Sequence, residues 1–290
     1  MQAEVKPGSY LEFFNRNGYV LVKNAVPREQ CERTVKRIFE FVGKSPDDRE
    51  GWYTPPAGAD DYFEDQERGM LPFFHDQTLW DNRMSPKVYE AFKELLGEEK
   101  LWVSLDRVNM KLPKRDSHPR LNQSFIHWDR DTSNLKFPLR VGESGLQGVL
   151  YLADTAANQG GFQCVPEIYG DLEGYIARQP ADRDPTIPNL DGYEITPIPG
   201  EAGDLLIWDA LLPHGNGENL SGDIRFAQYI LMSPANQDDP QETEARVRAF
   251  ERYESTFLPN DPRGWERNSS QGKHAQLTAL GRKLLGLDRW

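Results

Sequence analysis

The chain is 290 residues long, 38% hydrophobic and 11% aromatic, with 46 acidic residues against 34 basic and a formal charge of −12. That charge argues against nucleic acid, which favours clustered Lys and Arg on one face, and against anionic membranes or large polyanions, although a local basic pocket can still take a small anion. There is no run of about 18 apolar residues to span a bilayer, and Met1 to Pro7 lacks the basic and apolar parts of a secretory signal. With only Cys31 and Cys164 for disulfides, a soluble protein of a reducing, cytoplasmic setting is expected.

The first periodic segment is Arg28 to Val42. Cys31, Val35, Ile38, Phe39 and Val42 recur there at helical spacing, a stripe to pack on a sheet, and Gly43 ends it. From Ser45 to Met84 no period stands out, and Trp52, Tyr53, Tyr62, Phe63, Phe73, Phe74 and Trp80 sit among Pro, Gly and Asp. Loops this long are usually functional or disordered. The aromatic content argues against disorder, which leaves a lid or side wall of a site and a plain structural cover as even alternatives. His75 within it reads as a packed or surface histidine, with substrate contact the lesser expectation. A second helix follows, with Ser85 as cap, Pro86 in its first turn and Gly97 beyond Leu95 and Leu96. The acidic runs Ala59 to Asp65 and Asp238-Asp239 read as solvated surface.

From Leu101 short strand-like runs recur between Gly, Pro and Asn turns, which predicts an antiparallel sandwich or barrel. A double-sheet jelly roll fits and offers an interior mouth for a metal. On Leu146 to Ala153, the residues Gln147, Val149 and Tyr151 share one face that would line that interior. Gly170 to Asn189, rich in Pro and Asp, reads as a surface insertion near the mouth, and Gln241 to Glu254 and Leu277 to Leu285 as helices outside the sheet. The expected fold is mainly β with flanking helices, on a double-stranded β-helix (jelly roll, cupin-like) core. One domain over residues 1–290 is expected: a helical cover and lid over 1–100, the core over 101–235 and C-terminal helices over 236–290.

The chemistry concentrates in His127-Trp128-Asp129, His214 and Arg225. Gln123 to Asp129 is aromatic and β-branched enough for a strand, and residues i and i+2 of a strand project from one face, so His127 and Asp129 can grip one ion. His214 comes far enough along to return on a neighbouring strand. Two imidazoles and a carboxylate form the facial triad that suits Fe(II), with three positions open for a chelating cosubstrate and dioxygen. Arg225 lies in the strand-like run Asp223 to Leu231, and a guanidinium pairs bidentately with the far carboxylate of a 2-oxo diacid. Singly, each residue has a plain reading: a half-buried strand histidine bonded to Asp129, a turn histidine beside Pro213 and Gly215, a strand arginine facing solvent or a surface carboxylate. Their joint identity, order and spacing favour the metal site.

These residues resemble the phytanoyl-CoA dioxygenase-like branch of the Fe(II)/2-oxoglutarate oxygenases. The resemblance runs over most of the chain: Phe13 to Val22, which looks like the family's entry into its first strand, the helix after Pro27, Val108 to Pro113, His127 to Asp129, Tyr151 to Asp154, Asn158 to Gly161, Pro199 to Trp208, His214 and Arg225. It implies that His127, Asp129 and His214 bind iron and that Arg225 binds the distal carboxylate of 2-oxoglutarate, with dioxygen as co-reactant. Family members often add a residue from the strand before the His-x-Asp motif, which points to Asn109 or Lys111; Gln147 joins them as a cofactor-binding candidate. The implied reaction is oxidation, as hydroxylation in the first place, of a C–H bond in a small and partly apolar molecule, with release of succinate and carbon dioxide. Family halogenases replace the carboxylate with a small residue, so Asp129 points away from halogenation. Where many members read Pro-Gly-Ser-His, this chain has Pro166 to Tyr169, and a substrate cannot be borrowed from relatives. Two other readings stand beside this one: a cupin-like metalloenzyme without 2-oxoglutarate, and a non-catalytic jelly-roll binding protein. Oligomeric state is not legible.

Overall fold

In the computed structural model, which describes residues 8–54, 69–118, 124–256 and 273–290, helix α1 (Tyr10–Asn17) leads into strand β1 (Tyr19–Val22) and then helix α2 (Arg28–Val42). Helix α2 has the predicted bounds: Cys31, Ile38, Phe39 and Val42 are buried along its stripe, and Gly43 closes it in the left-handed region at φ 65°. The helix predicted from Ser85 also forms, as Pro86–Leu96, ending at Gly97 with φ 62°. Ser85 itself does not cap it; its hydroxyl donates to the Ala25 carbonyl at 2.7 Å, which fastens the helix to the turn after β1.

Between these helices the structure departs from the aperiodic reading. Strand β2 (Met70–Leu71) and helix α3 (Gln77–Arg83) form there, ahead of α4 (Pro86–Leu96). Helix α3 starts at Asp76, whose carboxylate accepts from Thr78 N–H at 3.0 Å. Trp52, Tyr53, Phe73, Phe74 and Trp80 are buried, and Met70 of β2 lines a cavity. Tyr62, Phe63 and the acidic run Ala59 to Asp65 lie outside the described residues.

The strands that follow are β3 (Leu101–Val103), β4 (Val108–Lys111), β5 (Leu146–Tyr151), β6 (Phe162–Cys164), β7 (Thr196–Pro197), β8 (Leu205–Asp209), β9 (His214–Asn216), β10 (Arg225–Tyr229) and β11 (Met232–Pro234). They build a large antiparallel sheet in the order β1-β8-β5-β10-β4-β2, a small sheet β7-β6-β9 and a ribbon β11-β3. This is the mainly β, jelly-roll class with flanking helices. The first hundred residues are not only a cover, since β1 and β2 form the two edges of the large sheet.

Strand alternation sorts the side chains. Tyr19, Val149, Tyr151, Leu206, Trp208 and Ala227 of the large sheet meet Phe162 and Cys164 of the small sheet in the inner core. Val20, Val22, Leu150, Leu205, Ile207 and Phe226 point the other way, onto Ile38 and Phe39 of α2 and Phe92 of α4. Each such buried side chain contributes roughly 1.5–3 kcal/mol of hydrophobic free energy. Gly203 is required at the turn before β8. Its φ is +97° and a Cβ there would stand 2.1 Å from the Val26 carbonyl oxygen.

Residues 170–189 lie largely at the surface, and Leu172 and Tyr175 of α6 (Leu172–Ala177), with Ile168 of the preceding α5 (Pro166–Gly170), anchor them on Trp128 and Ile126. One further expectation changes. The strand expected over Gln123 to Asp129 shrinks to one bridge, His127 with His214, and Gln123 lies outside the described residues. On the other side of the chain Trp128 N–H donates to the Thr186 carbonyl at 2.8 Å, which ties this segment to the loop after α6. The tail helices form as expected, α7 (Pro240–Arg252) and α8 (Ala279–Leu285). Arg246 of α7, itself buried, donates to the Leu285 and Leu284 carbonyls at 3.0 and 3.1 Å and holds the two together.

Candidate metal centre

His127 and His214 face each other across that single bridge. His127 N–H donates to the His214 carbonyl at 2.9 Å and His214 N–H to the His127 carbonyl at 3.0 Å, which sets the ring centroids 4.8 Å apart. Asp129, two residues on, brings one carboxylate oxygen to 3.4 Å from His127 Nε2 and the other to 3.2 Å from His214 Nε2. The three ligand atoms lie within 4.8 Å of one another. Neighbouring ligands about 2.1 Å from a six-coordinate ion stand about 3 Å apart, so the donor set fits a metal with little movement.

The surroundings prepare these donors. His214 Nδ1 lies 2.8 Å from the Leu212 carbonyl, an acceptor only, so Nδ1 carries a proton, and Nε2 is the nitrogen left to give its lone pair to a metal when one replaces its contact with Asp129. Phe162 stacks on the His214 ring at 5.6 Å and 13°, and Trp208 packs beside it at 5.3 Å. Burial by itself would raise the Asp129 carboxyl, but hydrogen bonding with His127, His214 and Gln147 outweighs it and holds the group well below the usual carboxylate range. Gln147 Nε2 donates to Asp129 Oδ2 at 2.6 Å. Gln147 thus supports a ligand from behind. Gln147→Ala is expected to weaken metal affinity about 10- to 100-fold, the usual cost of losing such a partner; competition with a chromogenic chelator measures it.

Arg225 opens the other side of the site. It is 1% exposed; Nη1 donates to Asn109 Oδ1 at 2.8 Å, Nε has no hydrogen-bond partner, and no carboxylate pairs with the guanidinium among the described residues. Opposite it in the β10–β4 register stands Lys111, whose ammonium donates to the Gly217 carbonyl. Burial, with Arg225 adding repulsion, pushes Lys111 down to about 8. Uncompensated buried charge costs several kcal/mol, so this pair of cations makes sense as a receptor for an anion.

His127, Asp129, His214, Gln147 and Arg225 line one cavity of about 770 Å³. Asn109 and Lys111 point the same way from β4 but stand behind Arg225 rather than on the wall. Of the face Gln147, Val149 and Tyr151, the first two line the cavity, while Tyr151 is buried with its hydroxyl on the Ile198 carbonyl at 2.6 Å. His75 is a packed histidine: Nε2 donates to the Glu254 carbonyl at 2.6 Å, Trp80 and Phe250 flank it, and burial pushes it down to about 3. Arg107, Arg130 and Tyr229 also line the cavity and were not singled out from the sequence. Arg130 follows the motif directly, the one local signal available.

The family profile for phytanoyl-CoA dioxygenase matches residues 14–227. The chain belongs to the phytanoyl-CoA dioxygenase family. Ava biosynthesis cluster protein O of Aspergillus versicolor is 25% identical over 282 residues, covering 87% of this chain and 86% of that protein. A Dictyostelium discoideum protein named for the same family is 26% identical over 316 residues, covering 96% and 86%. Among solved structures, the non-haem α-ketoglutarate-dependent epimerase SnoN of nogalamycin biosynthesis shares the fold, with a TM-score of 0.52 at 15% identity over 79% of this chain and 83% of that one. For this phytanoyl-CoA dioxygenase family member, Fe(II), 2-oxoglutarate and dioxygen agree with the donor set. Among the described residues no helix is long and apolar enough to cross a membrane.

Proposed function

We propose that this family member is an Fe(II)- and 2-oxoglutarate-dependent dioxygenase that hydroxylates a C–H bond of a small organic molecule, with release of succinate and carbon dioxide. One observation carries the reading: a buried guanidinium without a carboxylate shares a cavity with two imidazoles and an ionised carboxylate. In this reading His127, Asp129 and His214 hold the iron, Arg225 takes the distal carboxylate of 2-oxoglutarate, Asn109 orients Arg225, Lys111 adds charge behind it and Gln147 holds Asp129. The bound iron supplies oxidation by dioxygen coupled to decarboxylation of the cosubstrate. The chain's task is placement: Arg225 offers a fixed fork to a planar carboxylate, and Phe162, Trp208 and Val149 give the wall an apolar surface that keeps water from the reacting centre. A relative named for a biosynthesis cluster agrees with a small, partly apolar substrate, and the two free, buried cysteines agree with a reducing, cytoplasmic setting for one catalytic domain over 1–290.

Anaerobic titration of metal-free protein with Fe(II) and then 2-oxoglutarate tests this. A weak visible charge-transfer band saturating near one equivalent is expected, followed by stoichiometric succinate once dioxygen and a substrate are admitted. No band at saturating metal would transfer the chain to the cupin-like or non-catalytic reading.

A pH dependence follows from Lys111. Its ammonium is charged below about pH 8 and neutral above it, so 2-oxoglutarate affinity is expected to fall about fivefold between pH 7 and 9, an electrostatic change of about 1 kcal/mol. Lys111→Met should flatten that profile. Stability runs the other way. The unfolded chain holds this proton up to about pH 10.4 while the folded chain has shed it, so from about 8 to that value the unfolded state binds more protons and stability rises with pH. Calorimetry of wild type and variant checks the sign.

A further inference from the structure

The cavity carries two guanidinium groups that the dioxygenase reading leaves unused. Arg107, on the turn between β3 and β4, and Arg130, directly after Asp129, both line it. Arg107 is held in place from several directions. Asp106 Oδ1 accepts from its backbone N–H at 2.7 Å and from its Nε at 3.0 Å, and its carbonyl accepts from Tyr229 N–H at 3.1 Å. The buried Arg83 fixes the same turn by donating to the Asp106 carbonyl at 2.8 Å. Arg130 Nε donates to the Ser144 carbonyl at 2.7 Å. In both residues Nε is committed, and the terminal nitrogens make no hydrogen bond among the described residues. A guanidinium held in that way still offers its two NH2 groups to an oxyanion.

Strand register separates Arg107 from Arg225. The inward face of β10 carries Arg225, Ala227 and Tyr229 in order, and Arg107 sits beside Tyr229. Four strand residues span about 13 Å, which puts Arg107 well away from the cosubstrate arginine. Exposure marks the two ends as different: Arg225 is 1% exposed, the Arg107 side chain 27%, and Arg130 is exposed. The cavity therefore carries guanidinium groups at a closed end and again at an open one, where Asp106 balances Arg107 through Nε and Arg130 has no carboxylate within ion-pair distance among the described residues.

We propose that Arg107 and Arg130 form an anion subsite at the open end of the cavity, and that the substrate is an organic acid whose carboxylate or phosphate oxygens are held there. That the acid so held is the molecule oxidised rests on the dioxygenase reading; the subsite itself does not. Anchoring the anion at the mouth leaves the carbon chain to extend over the apolar wall toward the triad, so the position oxidised is set by its distance from the acid group.

The test is ligand-observed NMR of the full chain loaded with Zn(II) and excess 2-oxoglutarate, which occupies Arg225 and permits no turnover. The probes are phenylacetate, phenylacetamide and phenyl phosphate. At least tenfold tighter binding of either anion than of the amide is expected, and the better of the two anions identifies the oxyanion. The Arg107→Gln/Arg130→Gln double variant should lose the preference, and the Arg107→Lys/Arg130→Lys variant, which keeps the charges, should retain part of it. No preference in wild type, or a preference that survives in the double glutamine variant, overturns the subsite. Failure of the cosubstrate reading would appear separately, as a missing Fe(II) and 2-oxoglutarate band while the anion preference persists.

Discussion

Arg225→Ala is expected to raise the Kd for 2-oxoglutarate about 100- to 1,000-fold, the result of breaking a buried charge pair worth roughly 3–4 kcal/mol. In the ligand-free protein the same substitution should cost little stability and can increase it. Arg225 is 1% exposed, keeps Nε without a partner and has only Asn109 on Nη1, so its removal relieves an uncompensated charge beside Lys111 even as it leaves a cavity. The two measurements thus move in opposite directions. Titration of the charge-transfer band gives the first, and thermal unfolding with and without 2-oxoglutarate gives the second, because the melting shift that bound cosubstrate confers should disappear. Arg225→Lys should recover only part of the affinity, since an ammonium restores the charge without the planar fork. An unchanged Kd in the alanine variant would remove Arg225 from the cosubstrate site.

His127→Ala and Asp129→Ala are each expected to abolish turnover, by at least about 1,000-fold, and to lower bound iron from near one per chain to a small fraction. Among the described residues the site has three protein donors, and loss of one leaves a pair that cannot define the face of an octahedral ion. The structure predicts intact folding for both variants. The His127 side chain is 27% exposed and that of Asp129 35%, and the backbone bridge to His214 does not need either side chain. Asp129→Asn is the sharper probe, because it keeps the shape and the Gln147 contact while removing the charge. Metal analysis and succinate release report the two effects independently, and full activity in either alanine variant would sink the triad.

Signals that depend on near neighbours hold at several places, although Ser85 bonds to Ala25 instead of capping its helix. The stripe of α2, the left-handed glycines Gly43 and Gly97, and the alternation of Gln147 with Val149 depend on neighbours within a few residues. Helix α3 was missed because its seven residues are too short to establish a period; Asp76 was its one local mark. The pairing of His127 with Asp129 was legible as an i, i+2 relation, although the strand around it reduced to a single bridge. His214 beside His127 was an expectation only, since that contact depends on how β9 returns. The tertiary structure also decided that Asn109 and Lys111 stand behind Arg225, that His75 is buried under Phe250, and that Arg107 and Arg130 share the cavity. Periodicity and capping specify which face a residue takes and where an element ends. Which faces meet, and which buried charge is left without a partner, follows from strand register across the sheet, and register is a property of distant segments packed together.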